Sequence, residues 1–311
     1  MPHPEADGAP ASGAAPASPA LSRAWRNERL GIALIVLATV CFSALDGTTK
    51  VVGGAVPVLV AMWFRYLLQA SVTGALVVAR KGRRAFATRR PGLHALRGVL
   101  FASAGALAFT SLKLLPLGEF TALQMLTPLL VTLLAAHRLG ERVTPLRWLL
   151  VAGSFTGALL VVRPDAGDFR WAMLLPLTLV VVNAAYQLIT SALVREDDPS
   201  TLQLWTAGVA VALTSVALPW AGAFPTQPRL WALLGLMAVF STLGHTLLTM
   251  AFRHAQASTL QPFLYGQVGL ATLAGWWLFG HAPDGWTLLG IAVIAGCGAG
   301  GTWLAGQRGG R

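Results

Sequence analysis

The chain has 311 residues, of which 55% are hydrophobic and only 11% are charged, and its formal net charge is +11. In a soluble protein this basic balance would indicate a nucleic-acid partner, but apolar runs of about 20 residues, long enough to cross a bilayer, recur along the chain. The composition therefore predicts a multi-pass membrane protein whose partner is the lipid bilayer, and it argues against nucleic-acid binding.

The first segment in chain order, residues 1–29, is rich in Ala, Pro, Ser and Gly and ends in a cluster of arginines. Because its alanine- and proline-rich part carries almost no large apolar side chain, it cannot bury enough surface to become ordered. We predict that residues 1–29 form a disordered cytoplasmic tail.

Ten apolar spans follow the tail. Lipid offers no hydrogen-bonding partner to an irregular backbone, so each span is expected to be helical. They are predicted at residues 30–49, 56–79, 93–112, 118–136, 145–162, 171–193, 201–221, 230–252, 259–279 and 286–305.

The spans divide into two groups of five, residues 30–163 and 171–305, joined by a short polar link. An odd number of crossings in each group means that the second group enters the membrane from the opposite side, as in inverted-repeat transporters. An offset of 140 residues aligns Leu130 with Leu270, Thr132 with Thr272 and Lys113 with Arg253. The predicted fold class is an all-α integral membrane protein with ten transmembrane helices in two inverted five-helix repeats.

The basic residues set the orientation. With both termini in the cytoplasm, seventeen of the 23 Lys and Arg residues lie on the inner side, Arg97 and Arg147 among them. Because Lys and Arg are retained on the cytoplasmic side during insertion, this asymmetry predicts that both termini are cytoplasmic.

Five of the spans carry polar side chains at helical spacing. A polar group that faces lipid is costly, so we expect these stripes to wall one central polar cavity, the alternative being scattered structural hydrogen bonds. The stripes are Ser43, Asp46, Gly47 and Lys50; Arg65, Gln69 and Thr73; Asn183, Tyr186, Gln187 and Thr190; Ser241, His245 and Thr249; and Gln261, Tyr265 and Thr272.

The substrate-binding candidates are drawn from these stripes. Arg65 lies too deep in its span to reach the outer interface with a straight side chain, which favours a cavity role over snorkelling. His245 is either a buried, satisfied histidine or a proton-coupling group. The full set is Arg65, Gln69, Tyr186, Gln187, His245, Gln261 and Tyr265.

Coupling or charge-partner roles are predicted for Asp46, Lys50 and Glu119. Asp46 and Lys50 are also i, i+4 neighbours on one helix, so a mutual ion pair is an equal alternative. Glu119 lies in the first turn of its span, where interaction with the helix dipole is an equal alternative.

Gly153 with Gly157, and Gly296 with Gly300, form Gly-x-x-x-Gly motifs in the last span of each group. Small residues one turn apart let helices approach closely, either within one chain or in a homodimer. No motif for phosphate binding, metal ligation or nucleophilic catalysis is found, so we predict no metal, no cofactor and no enzymatic activity.

Several diffuse motifs carry a resemblance to a known family. They are Leu115-Pro-Leu-Gly-Glu119-Phe-Thr-Ala-Leu123 leading to Thr127-Pro128, Leu139-Gly-Glu141-Arg-Val-Thr-Pro145, Leu243-Gly244-His245, Ala257-Ser258-Thr259 and Tyr265-Gly-Gln267. On these residues the chain resembles the ten-helix, EamA-like branch of the drug/metabolite transporter superfamily.

The resemblance implies a secondary active transporter in the bacterial inner membrane that exports a small polar metabolite by alternating access. Import of a metabolite or vitamin-like compound is the alternative, and a noncatalytic membrane scaffold and an intramembrane lipid-modifying enzyme are more remote ones. We expect a structural role for Glu141 at its helix junction.

Overall fold

A computed structural model describes residues 19–115, 117–141, 143–162, 171–270, 272 and 284–307. Within these ranges the chain is helical and contains no strand. The helices are α1 (Pro19–Gly53), α2 (Val58–Lys81), α3 (Pro91–Leu114), α4 (Leu117–Gln124), α5 (Leu126–Arg138), α6 (Pro145–Val162), α7 (Leu174–Leu193), α8 (Pro199–Ala217), α9 (Pro228–His254), α10 (Ala257–Leu264) and α11 (Gly285–Gln307).

The helices confirm an all-α membrane protein. In the described ranges six helices, α1–α3 and α7–α9, are long and apolar enough to cross a bilayer, and α5, α6 and α11 provide shorter apolar helices. Large apolar side chains are exposed on many of them, including Leu76 on α2, Val181 on α7 and Val216 on α8. Such an apolar outer surface is the one that lipid requires.

Three predicted boundaries differ from the structure. Helix α1 begins at Pro19, so the predicted disordered tail of residues 1–29 is wrong from Pro19 onward. Proline suits the first helical turn, and a helix that continues out of a membrane span needs no new buried surface to form its backbone hydrogen bonds.

The predicted span 118–136 is broken at Met125, which separates α4 from α5. Pro128 has no N–H to donate to the carbonyl of Gln124, which weakens the helix at this point. The predicted span 259–279 likewise begins with the short helix α10, which contains Pro262 and ends before Tyr265.

The first glycine motif, Gly153 with Gly157, is used within the chain, where α6 packs along α11, whereas a Cβ on Gly296 of the second motif would have no neighbour within 4 Å among the described residues. A Cβ on Gly157 would lie 2.8 Å from the carbonyl oxygen of Gly290, and a Cβ on Gly153 would lie 2.8 Å from Sγ of Cys297. The two helices therefore touch through their backbones, as such motifs permit. The other close pairings are α1 with α9, α2 with α8, and α3 with α7 and α8.

Candidate functional site

A cavity of about 160 Å³ lies between helices from both parts of the chain: α1–α5 contribute one side, and α7, α9, α10 and Gln267 the other. Its charged and ring-bearing polar side chains are Asp46, Arg65, Tyr186 and His245. Four side-chain amides, from Gln124, Asn183, Gln187 and Gln267, complete the polar wall. Asp46, Arg65, Tyr186, Gln187 and His245 of the predicted site thus share one cavity.

Arg65 projects from α2 into this cavity and is only 6% exposed. Its Nη2 donates to the Tyr66 hydroxyl at 2.7 Å, and the guanidinium lies 4.7 Å from the Tyr66 ring centroid and 5.6 Å from that of Phe101. Gly105 on α3 makes room for this cluster, since a Cβ there would collide with Arg65 and Tyr66. Stacking on two rings fixes the direction of the guanidinium.

Asp46 faces the cavity from α1, where its Oδ2 accepts a hydrogen bond of 2.6 Å from Nε2 of Gln267. Lys50, one turn further on, turns away and donates to the carbonyls of Leu112 and Leu115 at 2.7 and 3.0 Å. The alternative of an Asp46–Lys50 ion pair is therefore wrong, because Lys50 satisfies the exposed carbonyls at the end of α3 instead.

His245 lies at the centre of an aromatic cluster on the cavity wall. Its ring centroid is 4.6 Å from that of Phe101, 5.0 Å from Phe42 and 5.7 Å from Tyr186. All three contacts are edge-to-face, an arrangement that aromatic pairs prefer. The Nδ1 atom of His245 is buried and has no hydrogen-bonding partner among the described residues.

The amides of the wall form chains of hydrogen bonds. Gln124 donates to the carbonyl of Pro176 at 2.9 Å and accepts from Asn183 at 3.4 Å. Gln187 accepts from Gln261 at 3.2 Å. These contacts orient the amides, so the wall presents donors and acceptors at fixed positions beside aromatic faces.

Three further predicted residues, Gln69, Gln261 and Tyr265, are not among the described residues that line the cavity. Gln261 lies one layer behind Gln187, and the Tyr265 hydroxyl donates to the carbonyl of Met125 at 3.1 Å. Gln69 is buried, and its amide has no hydrogen-bonding partner among the described residues. The side chain of Glu119 lies outside the part of the chain that the structure describes.

Sequence reasoning missed the burial of two arginines, Arg97 and Arg147; Arg147 is 7% exposed and donates to the Gln256 side chain at 3.0 Å. Arg97, counted among the basic residues of the inner side, is fully buried in the bundle, where it contacts Tyr186. The position of Arg97 inside the predicted span 93–112 is the signal for its burial, but a basic residue so near the start of a span is also typical of a helix end at the membrane surface. The cavity amides Gln124 and Gln267 were missed as well, although both lie within or beside the family motifs.

An acidic loop, Glu196–Asp198, closes the end of the bundle beyond Arg97. Glu196 pairs with Arg90 at 2.8 Å, and Asp197 contacts His94 at 2.7 Å. Asp198 lies 3.0 Å from Lys81 and 3.8 Å from Arg253. This one loop thus ties together α9 and the ends of α2 and α3.

Electrostatics and hydrogen bonding keep two of these carboxylates ionised. Burial opposes ionisation of Asp197, but hydrogen bonds from Thr88 and His94 bring its pKa below the usual range. For Asp198, burial is likewise outweighed by hydrogen bonds from Ser200 and Lys81, which lower its pKa to about 2. Hydrogen bonding to the charged form is the physical cause in both cases.

Glu141 has a structural position at the same end of the bundle. Its carboxylate accepts from the backbone N–H groups of Ala257 and Ser258, at 3.3 and 3.1 Å, and from Arg195 at 3.2 Å. It therefore binds the N-terminus of α10, where unpaired N–H groups and the helix dipole favour a negative charge.

A multi-helix bundle with an apolar outer surface and an interior cavity that carries charged and amide side chains is typical of membrane transport proteins. The EamA-like transporter family profile matches residues 29–163 and 170–299, so the chain belongs to that family, within the drug/metabolite transporter superfamily.

Similar proteins are named for several cargoes. The riboflavin transporter of Rhizobium johnstonii is 34% identical over 85% of this chain and 88% of its own. The pseudopaline exporter of Pseudomonas aeruginosa is 30% identical over 86% and 94%, and the S-adenosylmethionine uptake transporter of Rickettsia bellii is 26% identical over 88% and 94%. A crystal structure with 20% identity superposes with a TM-score of 0.71, covering 92% of this chain and 98% of that one, and shares the fold.

Proposed function

We propose that this protein is a secondary transporter that takes up riboflavin across the bacterial inner membrane by alternating access. The observation that carries the proposal is the cavity wall, which sets aromatic rings beside a set of oriented side-chain amides. The riboflavin transporters of Rhizobium johnstonii and Vibrio cholerae, at 34% and 33% identity, support the same substrate.

The chemistry of the cavity suits a flavin. An isoalloxazine ring has flat aromatic faces and an edge that alternates hydrogen-bond donors and acceptors. The rings of Phe101, Tyr186 and His245 offer stacking and edge contacts to the faces, and the amides of Asn183 and Gln187 offer both donors and acceptors to the edge.

Alternating access is supported by the placement of the cavity. It lies between the two predicted repeats, residues 30–163 and 171–305, and the acidic loop ties the helices together at one end. The ten-helix, inverted-repeat arrangement is part of this proposal. Met125 and Tyr265, which are 140 residues apart, both interrupt a helix, and Thr132 and Thr272 both donate to the carbonyl four residues earlier, at 2.8 and 2.9 Å.

The proposed orientation places both termini and the acidic loop in the cytoplasm, as the distribution of Lys and Arg favours. We propose uptake as the direction, although the sequence alone favoured export. The relatives named for uptake of S-adenosylmethionine support this choice, while the relative named as a pseudopaline exporter supports the other.

The test is rescue of a riboflavin-auxotrophic bacterium that lacks its own riboflavin uptake. Expression of this protein should restore growth at low external riboflavin, and proteoliposomes should show saturable accumulation of flavin fluorescence. Arg65→Ala should reduce both severely, whereas Arg229→Ala, at an exposed position in the first turn of α9, should leave both unchanged. A protein that is inserted in the membrane but gives neither growth nor accumulation would refute riboflavin as the substrate.

A zwitterionic, amino-acid-like metabolite is the second candidate. It is supported by the acidic side chain of Asp46 and the basic side chain of Arg65, which line the same cavity. The two groups form no ion pair within 4 Å, so a ligand that bears an ammonium and a carboxylate could contact both. Uptake assays separate the candidates: accumulation of S-adenosylmethionine without accumulation of flavin would favour the second. Efflux from preloaded vesicles, measured in parallel, tests export.

A further inference from the structure

Arg97 lies directly beneath the cavity, behind Tyr186, and does not itself line it. Its side chain enters from α3, is fully buried and reaches three other helices, α7, α8 and α9. Nε donates to Thr190 at 2.8 Å, Nη1 to the carbonyl of Leu202 at 3.0 Å and to the Thr206 hydroxyl, and Nη2 to the Tyr186 hydroxyl at 2.8 Å and to Thr249 at 3.1 Å. A guanidinium has five N–H donors, so every donor has an acceptor.

The acceptors of Arg97 are all neutral. Among the described residues no carboxylate lies within 4 Å of its guanidinium, although the acidic loop beyond it engages Lys81, Arg90 and His94. A buried cation without a counter-charge is costly, and in a membrane protein such a residue marks a functional site by default. Simple helix packing could use an apolar side chain in its place.

Tyr186 is the one partner of Arg97 that also lines the cavity. The guanidinium holds it in two ways, by the hydrogen bond to the hydroxyl and by lying 4.7 Å from the ring centroid. The Tyr186 ring is in turn 5.8 Å from Phe101 and 5.7 Å from His245. Holding Tyr186 in place therefore also restricts the positions of the Phe101 and His245 rings that pack against it.

We propose that Arg97 is a positioning residue that sets the affinity of the cavity for a planar ligand by holding the ring and hydroxyl of Tyr186 in place. The identity of the ligand rests on the proposed function, whereas the positioning of Tyr186 by Arg97 does not. Lysine cannot replace arginine here, because an ammonium has neither the planar fork nor the stacking surface.

The first experiment measures riboflavin binding by quenching of flavin fluorescence in purified protein. Arg97→Lys and Tyr186→Phe should each weaken binding by about tenfold, the scale of one charge-assisted hydrogen bond, and the double variant should be no weaker than the weaker single variant. Thr206→Val, which removes an Arg97 contact that does not involve Tyr186, is the matched control and should stay within about twofold.

Two results would overturn the inference: wild-type affinity in either single variant, or losses that multiply in the double variant. Thermal unfolding, measured on each protein, shows whether a variant is folded. Tyr186→Phe keeps the test decisive should Arg97→Lys not fold, since removing the hydroxyl leaves the cation in place.

A second readout needs no substrate. In a protein with Cys41 and Cys297 replaced by alanine, Asn183→Cys places a thiol on the cavity wall one turn from Tyr186. Arg97→Lys should change its labelling rate by a water-soluble maleimide, while Thr206→Val should not. Equal rates would refute the positioning role, whereas altered rates in a protein that binds no riboflavin would refute only the proposed substrate.

Discussion

At the scale of single residues, the cavity brings together one guanidinium and one carboxylate from different helices. Arg65 is stacked on aromatic rings and Asp46 is held by Gln267, so each charge has its own support and neither depends on the other. The two groups are thereby available to a ligand, which is why each can be tested separately.

We expect Arg65→Ala to reduce transport severely, by at least about tenfold, because it removes the cation that faces the cavity and leaves a void between Tyr66 and Phe101. Arg65→Lys keeps the charge but loses the stacking, so it should retain part of the activity. Initial rates in proteoliposomes measure the effect. Normal flux in Arg65→Ala would remove Arg65 from the site.

Asp46→Asn tests proton coupling. Asparagine can still accept the hydrogen bond from Gln267, so the variant changes the charge with little change in shape. If Asp46 carries the coupled proton, riboflavin exchange should persist in the variant while accumulation driven by a proton gradient is lost. Accumulation in Asp46→Asn that still collapses on adding a protonophore would place the coupling elsewhere, with His245 the next group to test.

At the scale of helices and loops, one carboxylate joins the end of α5 to the start of α10. Glu141 is almost fully buried, and it accepts from two N–H groups that α10 cannot pair internally. These contacts give Glu141 the structural role at the helix junction that the sequence predicts.

Glu141→Ala should lower the free energy of unfolding by about 1–2 kcal/mol, the cost of losing a helix cap. Glu141→Gln keeps an acceptor and should cost less. Thermal unfolding in detergent gives the order of the three proteins, and an alanine variant as stable as the glutamine variant would contradict the capping role.

The acidic loop should show a pH signature. The pKa of Asp198 is lowered to about 2, against about 3.9 for an unfolded aspartate, so its contribution to stability is complete above about pH 4 and is lost as the pH falls to about 2. The carboxylate is partly exposed, so the effect is small.

Asp198→Asn keeps the hydrogen bond that caps α8 and removes the ion pairs, whereas Asp198→Ala removes both. Hydrogen exchange of the first turn of α8 should rise modestly in the asparagine variant and more in the alanine variant. The difference in hydrogen-exchange rate between Asp198→Asn and the wild type should vanish near pH 2, where the wild-type carboxylate is protonated. A difference that stays constant with pH would contradict the ionic contribution.

At the scale of the whole molecule, the proposed orientation predicts which segments can be reached from the cytoplasm and which from outside the cell. A fluorescent protein fused after Arg311 should be fluorescent and an alkaline phosphatase there inactive, because the C-terminus is predicted to be cytoplasmic. A cysteine in the link 163–170 should react with an impermeant maleimide from outside. An active phosphatase fusion would reverse the orientation and, with it, the side on which the acidic loop lies.

The sequence predicts those structural features of this protein that depend on neighbouring residues in the chain. Apolar length marks most helices correctly, whereas the break at Met125 depends on a single proline three residues later, and the start of α1 lies in residues whose composition predicts disorder. Helical spacing places Asp46, Arg65 and Tyr186 on polar stripes, and the structure brings them to one cavity.

The sequence by itself determined the membrane class and the polar faces of the helices, because hydropathy and helical period act over one or two turns of chain. Only the tertiary structure decided which faces meet. Tyr265 bonds the backbone at Met125 and Gln261 lies behind Gln187, while Arg97 reaches beneath the floor of the cavity. The rotation of each helix against its neighbours sets these contacts, and that rotation follows from the packing of the whole bundle.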